Sequence, residues 1–191
     1  IADNTVARLS TDDFAETFRF GPVSDLATIV SVAFSPDGQS VLTGTKDGHI
    51  LVRDVTGGEF RKRRAHSREI FQLSFSPEGK TFTTCSGNGE LRLWSWPEMK
   101  QIADLKLHDG WVLSACFSPD GKTLASCGSD GTAVLWDVAT RVPRRVLQQH
   151  TGWVRDVAFS PDGRLIATAG NEGMVRLWNV STGRLQRTLS L

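Results

Sequence analysis

The chain has 191 residues, and its 22 Lys and Arg side chains nearly balance 21 Asp and Glu side chains, giving a formal net charge of +1. This length is enough for one sizeable hydrophobic core, and the even charge balance argues against a dedicated nucleic-acid-binding protein. Hydrophobic residues make up 39% of the sequence. They form no apolar run near the roughly twenty residues of a spanning helix, so no membrane insertion is expected.

Cysteine usage and the first residues indicate the compartment. The 3 cysteines form no Cys-x-x-Cys pair, which argues against a disulfide scaffold or a zinc module and favours a reducing environment. The sequence starts at Ile1 without a basic stretch followed by an apolar core, so no signal peptide is expected. Together these features predict a cytoplasmic protein.

A repeat determines how the elements are assigned. The pattern Phe-Ser-Pro-Asp/Glu-Gly recurs at spacings of 41, 42 and 42 residues, beginning at Phe34, Phe75, Phe117 and Phe159. In three copies a Trp stands 19 residues after that Phe, at Trp94, Trp136 and Trp178. Each copy is therefore one structural module.

The chain begins part-way through such a module. Residues 3–10 align with residues 130–137, which predicts a third strand at the start of the chain and a fourth near Phe14 to Phe20. Residues 1–24 are then a partial unit. Complete units are expected at 25–65, 66–107, 108–149 and 150–191, all within a single domain covering 1–191.

Each complete unit predicts four short strands and no helix. The apolar period is two, as at Val157 and Phe159 of the last unit. In the third unit a Ser-Pro-Asp-Gly turn precedes a strand at 124–127, and a tight turn at 129–131 leads to a strand at 132–138. A fourth strand at 144–148 carries alternating charges, as suits an outer edge.

The units resemble the WD-repeat (Trp-Asp repeat) family of β-propellers. The resemblance rests on Leu135-Trp136-Asp137-Val138, Leu177-Trp178-Asn179-Val180 and the Phe-Ser-Pro-Asp-Gly turns. It implies an all-β fold of four-stranded antiparallel blades, with four complete repeats plus a partial N-terminal blade. Because the family usually closes a ring of about seven blades, we expect a segment of a longer propeller, self-association, or closure by another chain.

The resemblance also implies a buried hydrogen-bond network in each unit. In the family it joins a His before the first strand, a Ser or Thr in the second strand, an Asp in the following turn and the Trp of the third strand. The third unit supplies all four positions: His108, Ser126, Asp130 and Trp136. The other units depart from it, with His66, Thr84, Asn88 and Trp94 in the second, His150, Thr168, Glu172 and Trp178 in the fourth, and Asp25, Thr43, Asp47 and Arg53 in the first. Since Asn88 offers only an amide oxygen, a weaker network is expected in the second unit than in the third.

Catalytic interpretations find little support. His108, Ser126 and Asp130 are the residue types of a hydrolytic triad, but a buried network explains them without a reaction. Gly79-Lys80-Thr81 lacks the upstream Gly of a phosphate loop. The 4 His residues have no ligand companion at metal-binding spacing. No catalytic residue, cofactor or metal is expected, and the protein is predicted not to be an enzyme.

Arg61 to Arg64 form the densest charge run. It would attract an acidic protein surface or nucleic acid weakly, or it would simply solvate and protect an edge strand, and we favour the second interpretation. Nucleic acid is therefore not the expected partner. The three cysteines, Cys85, Cys116 and Cys127, are expected to be small core residues.

Trp111 and Trp153 stand three residues after the His of their units, in the loop that leads into the first strand. The resemblance places this loop on the face that the family uses most often for partners. Glu69 occupies the matching position in the second unit, and the strand starts that follow carry Phe71, Leu113 and Arg155. We expect Trp111, Trp153, Arg155 and Glu69 to contact a partner, although packing of each indole on its own blade remains an alternative.

The sequence therefore predicts a non-catalytic scaffold that binds a protein or peptide on one face of a propeller. An alternative from a different class is a sensory or regulatory domain of a larger signalling enzyme, such as a kinase or a nucleotide-dependent signalling protein.

Overall fold

In a computed structural model, the described residues are 6–9, 16–20, 28–57 and 60–190. Within these ranges every regular element is a β-strand, and the strands form four antiparallel sheets of four strands and one of two. This confirms the predicted all-β class, with four complete blades and a partial one before them.

The partial blade pairs two strands, β1 (Val6–Leu9) and β2 (Glu16–Phe20). They run antiparallel, with Val6 opposite Phe20. The predicted fourth strand is thus seen from Glu16 onward, while residues 14 and 15 lie outside the described residues.

The complete blades follow in chain order. Blade 1 consists of β3 (Ile29–Phe34), β4 (Ser40–Thr45), β5 (His49–Asp54) and β6 (Phe60–Arg64). Blade 2 consists of β7 (Ile70–Phe75), β8 (Thr81–Ser86), β9 (Leu91–Ser95) and β10 (Gln101–Leu105). Blade 3 consists of β11 (Val112–Phe117), β12 (Thr123–Gly128), β13 (Thr132–Asp137) and β14 (Pro143–Gln148). Blade 4 consists of β15 (Val154–Phe159), β16 (Leu165–Gly170), β17 (Met174–Asn179) and β18 (Leu185–Ser190). In each blade the first strand contacts the first strand of its neighbour, so the first strands lie innermost.

The recurring Ser-Pro-Asp-Gly turn has a local physical cause, which blade 3 illustrates. Ser118 Oγ donates to Asp120 Oδ1 at 2.6 Å, and the same oxygen accepts the backbone N–H of Lys122 at 3.0 Å. Gly121 has a φ of +69°, which favours glycine. These contacts close a tight turn between the first two strands without help from other blades.

Apolar side chains of neighbouring blades share one core. Between blades 1 and 2, Leu42, Ile50 and Val52 pack with Leu73 and Phe82. Equivalent clusters lie between blades 2 and 3 and between blades 3 and 4. Each blade therefore depends on its neighbour to bury its face, as expected for a repeat architecture.

The basic run of β6 is divided between two environments. The guanidinium of Arg61 lies 5.5 Å from the centre of a ring of Trp96, and that of Arg63 lies 5.4 Å from Trp94. Lys62 and Arg64 alternate with them and are exposed. The interpretation of this run as a solvated edge therefore fits Lys62 and Arg64, whereas Arg61 and Arg63 also join blade 1 to blade 2 through cation–π contacts.

The three cysteines lie in the blades, with Cys85 and Cys127 buried and Cys116 partly buried. Burial raises the pKa of all three thiols, that of Cys116 to about 12. Since thiolate is the nucleophilic form, these side chains are poor nucleophiles at neutral pH.

The inner strand of blade 1 presents an apolar face. Val30, Val32 and Phe34 are 42%, 53% and 48% exposed. The residues at the position of Val32 in the next blades, Leu73 and Ala115, are 6% and 0% exposed because each packs on the preceding blade. The face around Val32 therefore has the chemistry of an inter-blade contact.

We expect the 191-residue chain to self-associate through this face, because association removes apolar surface from water. Val32→Asp should shift its mass in light scattering toward the monomer. Val142→Asp is the matched control, since Val142 is 56% exposed on a connection at the outer edge. A monomeric parent chain, or equal effects of both substitutions, would contradict this expectation.

Candidate functional site

The third unit brings its four predicted network residues together. His108 Nε2 lies 2.8 Å from Ser126 Oγ, and His108 Nδ1 lies 2.9 Å from Asp130 Oδ2. Trp136 Nε1 donates to the same Ser126 Oγ at 2.9 Å. Because the indole N–H only donates, Ser126 accepts from Trp136 and donates to the imidazole, which leaves Nδ1–H to donate to the carboxylate.

The fourth unit has the same arrangement with different residue types. His150 Nε2 lies 2.7 Å from Thr168 Oγ1, which accepts from Trp178 Nε1 at 2.9 Å. His150 Nδ1 lies 2.6 Å from Glu172 Oε1, and Arg176 forms an ion pair with the same carboxylate.

The second unit corrects one sequence-based expectation. His66 Nε2 lies 2.7 Å from Thr84 Oγ1, which accepts from Trp94 Nε1. The acid that contacts His66 Nδ1, at 3.0 Å, is Glu90 and not the residue at position 88. Arg92 also forms an ion pair with Glu90, at 2.7 Å.

Asn88 therefore lies outside the network. Its Nδ2 donates to Ser67 Oγ at 3.1 Å, and its Oδ1 accepts from the backbone N–H of Glu90 at 3.3 Å. The expected weakness of the second network relative to the third assumed Asn88 in the place of the acid, and that premise is wrong. The arginine two residues before Trp94, which recurs as Arg176 before Trp178, was the sequence signal for a nearby acid.

The first unit is built differently. Thr45 Oγ1 donates to Asp47 Oδ1 at 2.5 Å, and Asp47 Oδ2 lies 3.0 Å from His49 Nδ1. The guanidinium of Arg53 lies 5.6 Å from the ring centre of Phe60. Asp25 lies outside the described residues.

Burial sets the charge states of the networks. It lowers the pKa of His66 to about 4 and also lowers the pKa of His150. Burial would raise the pKa of Asp130 and Glu172, but hydrogen bonds to the carboxylates outweigh it and hold both pKa values at about 2. At neutral pH His66 and His150 are therefore neutral, and Asp130 and Glu172 are charged.

The triad-like geometry of His108, Ser126 and Asp130 does not form an accessible nucleophilic site. Ser126 is 0% exposed, and its oxygen is already engaged by both Trp136 and His108. A nucleophile must reach the reacting carbon of its substrate. The observed contacts give these side chains a full set of partners within the blade.

The loop before each first strand has the same backbone position in all four blades. The carbonyls of Thr28, Glu69, Trp111 and Trp153 each accept a hydrogen bond from the following hairpin, through Lys46, Gly87, Ser129 and Asn171. Three kinds of side chain, with Trp occurring twice, thus occupy one equivalent position at the same rim of the blades.

The two indoles at this position are in contact. The rings of Trp111 and Trp153 have centroids 5.4 Å apart, and Phe71 of β7 lies 5.9 Å from Trp111. Phe71, Trp111 and Trp153, here called the aromatic row, therefore cross three blades. Trp111 is 39% exposed, so the row has an open surface at its centre.

Charged side chains stand at the two ends of the aromatic row. At the blade 4 end, the Arg155 guanidinium lies 4.6 Å from the centre of the Trp153 ring. At the blade 2 end, the Glu69 carboxylate and the Phe71 ring both lie next to Gly87. A Cβ atom built on Gly87 would be 2.8 Å from Glu69 Oε1 and 3.3 Å from the Phe71 ring. The structure thus brings the four predicted partner-binding residues to one rim and adds Phe71.

A cleft of about 720 Å³ opens beside Trp111. Its walls are the turn 87–90 of blade 2 and the loop 106–111 of blade 3, with Arg68 at one side. The rim therefore combines an exposed aromatic surface with an adjoining polar recess.

Comparison with known proteins confirms the resemblance noted in the sequence. A family model described as "WD domain, G-beta repeat" matches residues 20–54, 58–95, 99–137 and 141–179. A chain in the "Crystal Structure of Mitotic Checkpoint Complex" superposes with a TM-score of 0.89 and 24% identity, covering 98% of this chain and 58% of that one. This structural likeness supports the fold alone.

Curated relatives match about half of the chain. "Protein LST8 homolog" of Drosophila melanogaster is 31% identical over 97 residues, covering 47% of this chain and 31% of that protein. "WD repeat-containing protein 1" of Rattus norvegicus is 34% identical over 108 residues, covering 49% and 18%. "Actin-interacting protein 1" of Drosophila melanogaster is 30% identical over 97 residues, covering 49% and 16%. The matched segments span about a third or less of the length of these relatives.

In the described part of the chain, no helix has the length and apolarity to cross a bilayer.

Glu90→Ala is expected to lower the free energy of unfolding by about 1 to 3 kcal/mol, because it removes the carboxylate partner of buried His66 and of Arg92. Asn88→Ala removes only two longer polar contacts and should change it by about 0.5 kcal/mol or less. Denaturant unfolding of both variants tests the assignment. A larger loss for Asn88→Ala than for Glu90→Ala would refute it.

The free energy of unfolding should fall as the pH is lowered from about 6.5 to 4. His66 has a pKa of about 4 when folded and about 6.5 when unfolded, so the unfolded state binds the proton more readily in this window. Each such proton contributes a slope of up to about 1.4 kcal/mol per pH unit, with stability fully present above the unfolded pKa. Urea unfolding across this range should show a shallower slope for His66→Gln. An unchanged slope in His66→Gln would contradict the pKa assignment.

Proposed function

The chain belongs to the WD-repeat family, described as "WD domain, G-beta repeat", and from that premise we propose that it is a non-catalytic interaction module that binds an extended segment of a partner protein on the aromatic row. Family membership supports a protein-interaction scaffold role in general. The assignment of the binding surface to Phe71, Trp111 and Trp153 is the specific part of the proposal.

The observation that carries the proposal is the contact between Trp111 and Trp153 at an open rim. Their ring centroids are 5.4 Å apart, yet Trp111 keeps 39% of its surface exposed. If these indoles served only to cover their own blades, each would be expected to lie flat on its blade. A contiguous aromatic surface across blades is instead typical of an interaction hot spot, where Trp and Arg are enriched.

The rim is also held in place before any partner binds. The backbone N–H of Trp111 donates to Ser129 Oγ at 2.8 Å, and that of Asp109 donates to Asp130 Oδ2 at 3.0 Å. A loop fixed in this way loses less conformational entropy on binding than a mobile one.

The name of one relative supports a protein as the partner. That relative is "Actin-interacting protein 1". The name describes association with another protein, and it identifies no partner for this chain. An extended segment suits the rim, because the aromatic row consists of three rings in successive contact across three blades.

We expect Trp111→Ala and Trp153→Ala each to weaken peptide binding by about 2 kcal/mol, or roughly thirtyfold in Kd. The probe is a displayed library of random linear peptides, selected on the immobilised chain, with affinities of the enriched peptides then measured in solution. Phe60→Ala is the matched control, since Phe60 is also 39% exposed but lies on the outer strand β6.

Thermal unfolding of the same variants separates the two interpretations of the indoles. Binding requires reduced affinity with a nearly unchanged melting temperature. A lower melting temperature with unchanged affinity would indicate that Trp111 and Trp153 only cover their blades, and the proposal would be wrong.

A further inference from the structure

The aromatic row has a spacing that matches an extended peptide. Its successive ring centroids are 5.9 Å and 5.4 Å apart, and the Arg155 guanidinium lies over the last ring, 4.6 Å from the Trp153 centroid, so that Trp153 and Arg155 share one position of the row. In an extended chain, side chains on one face recur every second residue, about 6.5 Å apart. Alternate side chains of one extended peptide are therefore spaced closely enough to contact successive rings of the aromatic row.

The two ends of the row carry opposite charges. Glu69 stands beside Phe71, and Arg155 stands on Trp153. Among the described residues, neither forms a salt bridge with a side chain of opposite charge. Each is therefore available to a charged group of a ligand.

Other charged groups near the row have contacts of their own. Asp156, next to Arg155, accepts hydrogen bonds from Ser114 Oγ at 2.7 Å and from the backbone N–H of Val157 at 2.9 Å through Oδ1. In the cleft beside Trp111, Lys106 pairs with Asp104 at 3.2 Å. The cleft also holds Arg68 and Asp109, whose charges are of opposite sign.

We infer that the ligand is a bipolar extended segment, with a basic side chain at Glu69, an apolar side chain on Trp111 and an acidic side chain at Arg155. The three side chains then occupy positions i, i+2 and i+4 of the segment. This inference rests on the proposed function, because it specifies the ligand of the same rim. The segment can run in either direction along the rim. Reversing it changes which charge comes first in the peptide sequence, but the basic side chain still meets Glu69 and the acidic side chain still meets Arg155.

Three synthetic peptides with identical neutral flanks test the charge pattern. Their cores are Lys-Ser-Phe-Ser-Asp, Lys-Ser-Phe-Ser-Lys and Asp-Ser-Phe-Ser-Asp, and binding to the 191-residue chain is measured by fluorescence anisotropy at low salt. The bipolar peptide should bind about tenfold more tightly than either uniform peptide. The preference should shrink as salt is added, because exposed charge pairs are screened.

Charge reversals at each end should redirect the preference. Glu69→Lys should favour the Asp-Ser-Phe-Ser-Asp peptide, and Arg155→Glu should favour the Lys-Ser-Phe-Ser-Lys peptide, each by about tenfold. Glu98→Lys is the matched control, because Glu98 is exposed in a turn away from this rim. It should leave the order of the three affinities unchanged, and melting temperatures should confirm that all variants fold.

The outcomes separate this inference from the proposed function. If peptides bind in a way that depends on Trp111 but ignore the charge pattern, or if the reversals leave the preference unchanged, the bipolar ligand is wrong and the binding surface remains. If none of the three peptides binds while selected library peptides do so through Trp111, the bipolar ligand is again wrong. If no peptide of either set needs Trp111 or Trp153, the proposed function fails as well.

Discussion

One buried hydroxyl in each of blades 2, 3 and 4 joins parts of the chain that are distant in sequence. In blade 3, Ser126 of β12 accepts the indole N–H of Trp136 on β13 and donates to His108, in the loop before β11. The loop that carries His108 continues directly to Trp111, whose backbone is bound to Ser129 of the next hairpin. The position of the rim thus depends on a hydrogen bond inside the blade. Because Ser126 and Trp136 are buried and partnered, loss of one leaves the other unsatisfied in a medium of low dielectric constant.

The carboxylate in this network tolerates more change than the hydroxyl. Asp130 and Glu172 reach the imidazole from the hairpin turn, whereas Glu90 reaches it from two residues further along. Both positions belong to the turn between the second and third strands, with Gly89 at a φ of +80° between them in blade 2. A longer side chain two positions later can therefore occupy the place of the turn acid, and in blade 2 Arg92 holds it there. The Ser or Thr hydroxyl has no such freedom, because it must meet the Trp and the His at once.

Sequence periodicity was sufficient to predict the blades, and it failed where contacts cross between blades. The strands and turns could be predicted from the repeat of about 42 residues and from local contacts such as the hydrogen bond between Ser118 and Asp120. The contact of Phe71 with Trp111 depends on how two blades pack, which no local pattern records. The same limit applies to Arg61 and Arg63, whose partners Trp96 and Trp94 belong to the next blade. Aligning units by position also assigned Asn88 to the network, since alignment does not reveal that the residue two positions later, Glu90, reaches the imidazole.

The position before the first strand of each blade is one where the side chain can change without changing the fold. Thr28, Glu69, Trp111 and Trp153 make the same backbone hydrogen bond, which requires nothing of their side chains. The scaffold is thus satisfied by a hydroxyl, a carboxylate or an indole at this place. Two adjacent indoles flanked by Glu69 on one side and Arg155 on the other are therefore not a consequence of making a blade. Blade packing brings the centroids of the two indole rings to 5.4 Å from each other. The surface that they form consists of side chains that the fold does not require. It is therefore the part of this molecule best suited to distinguish one partner from another.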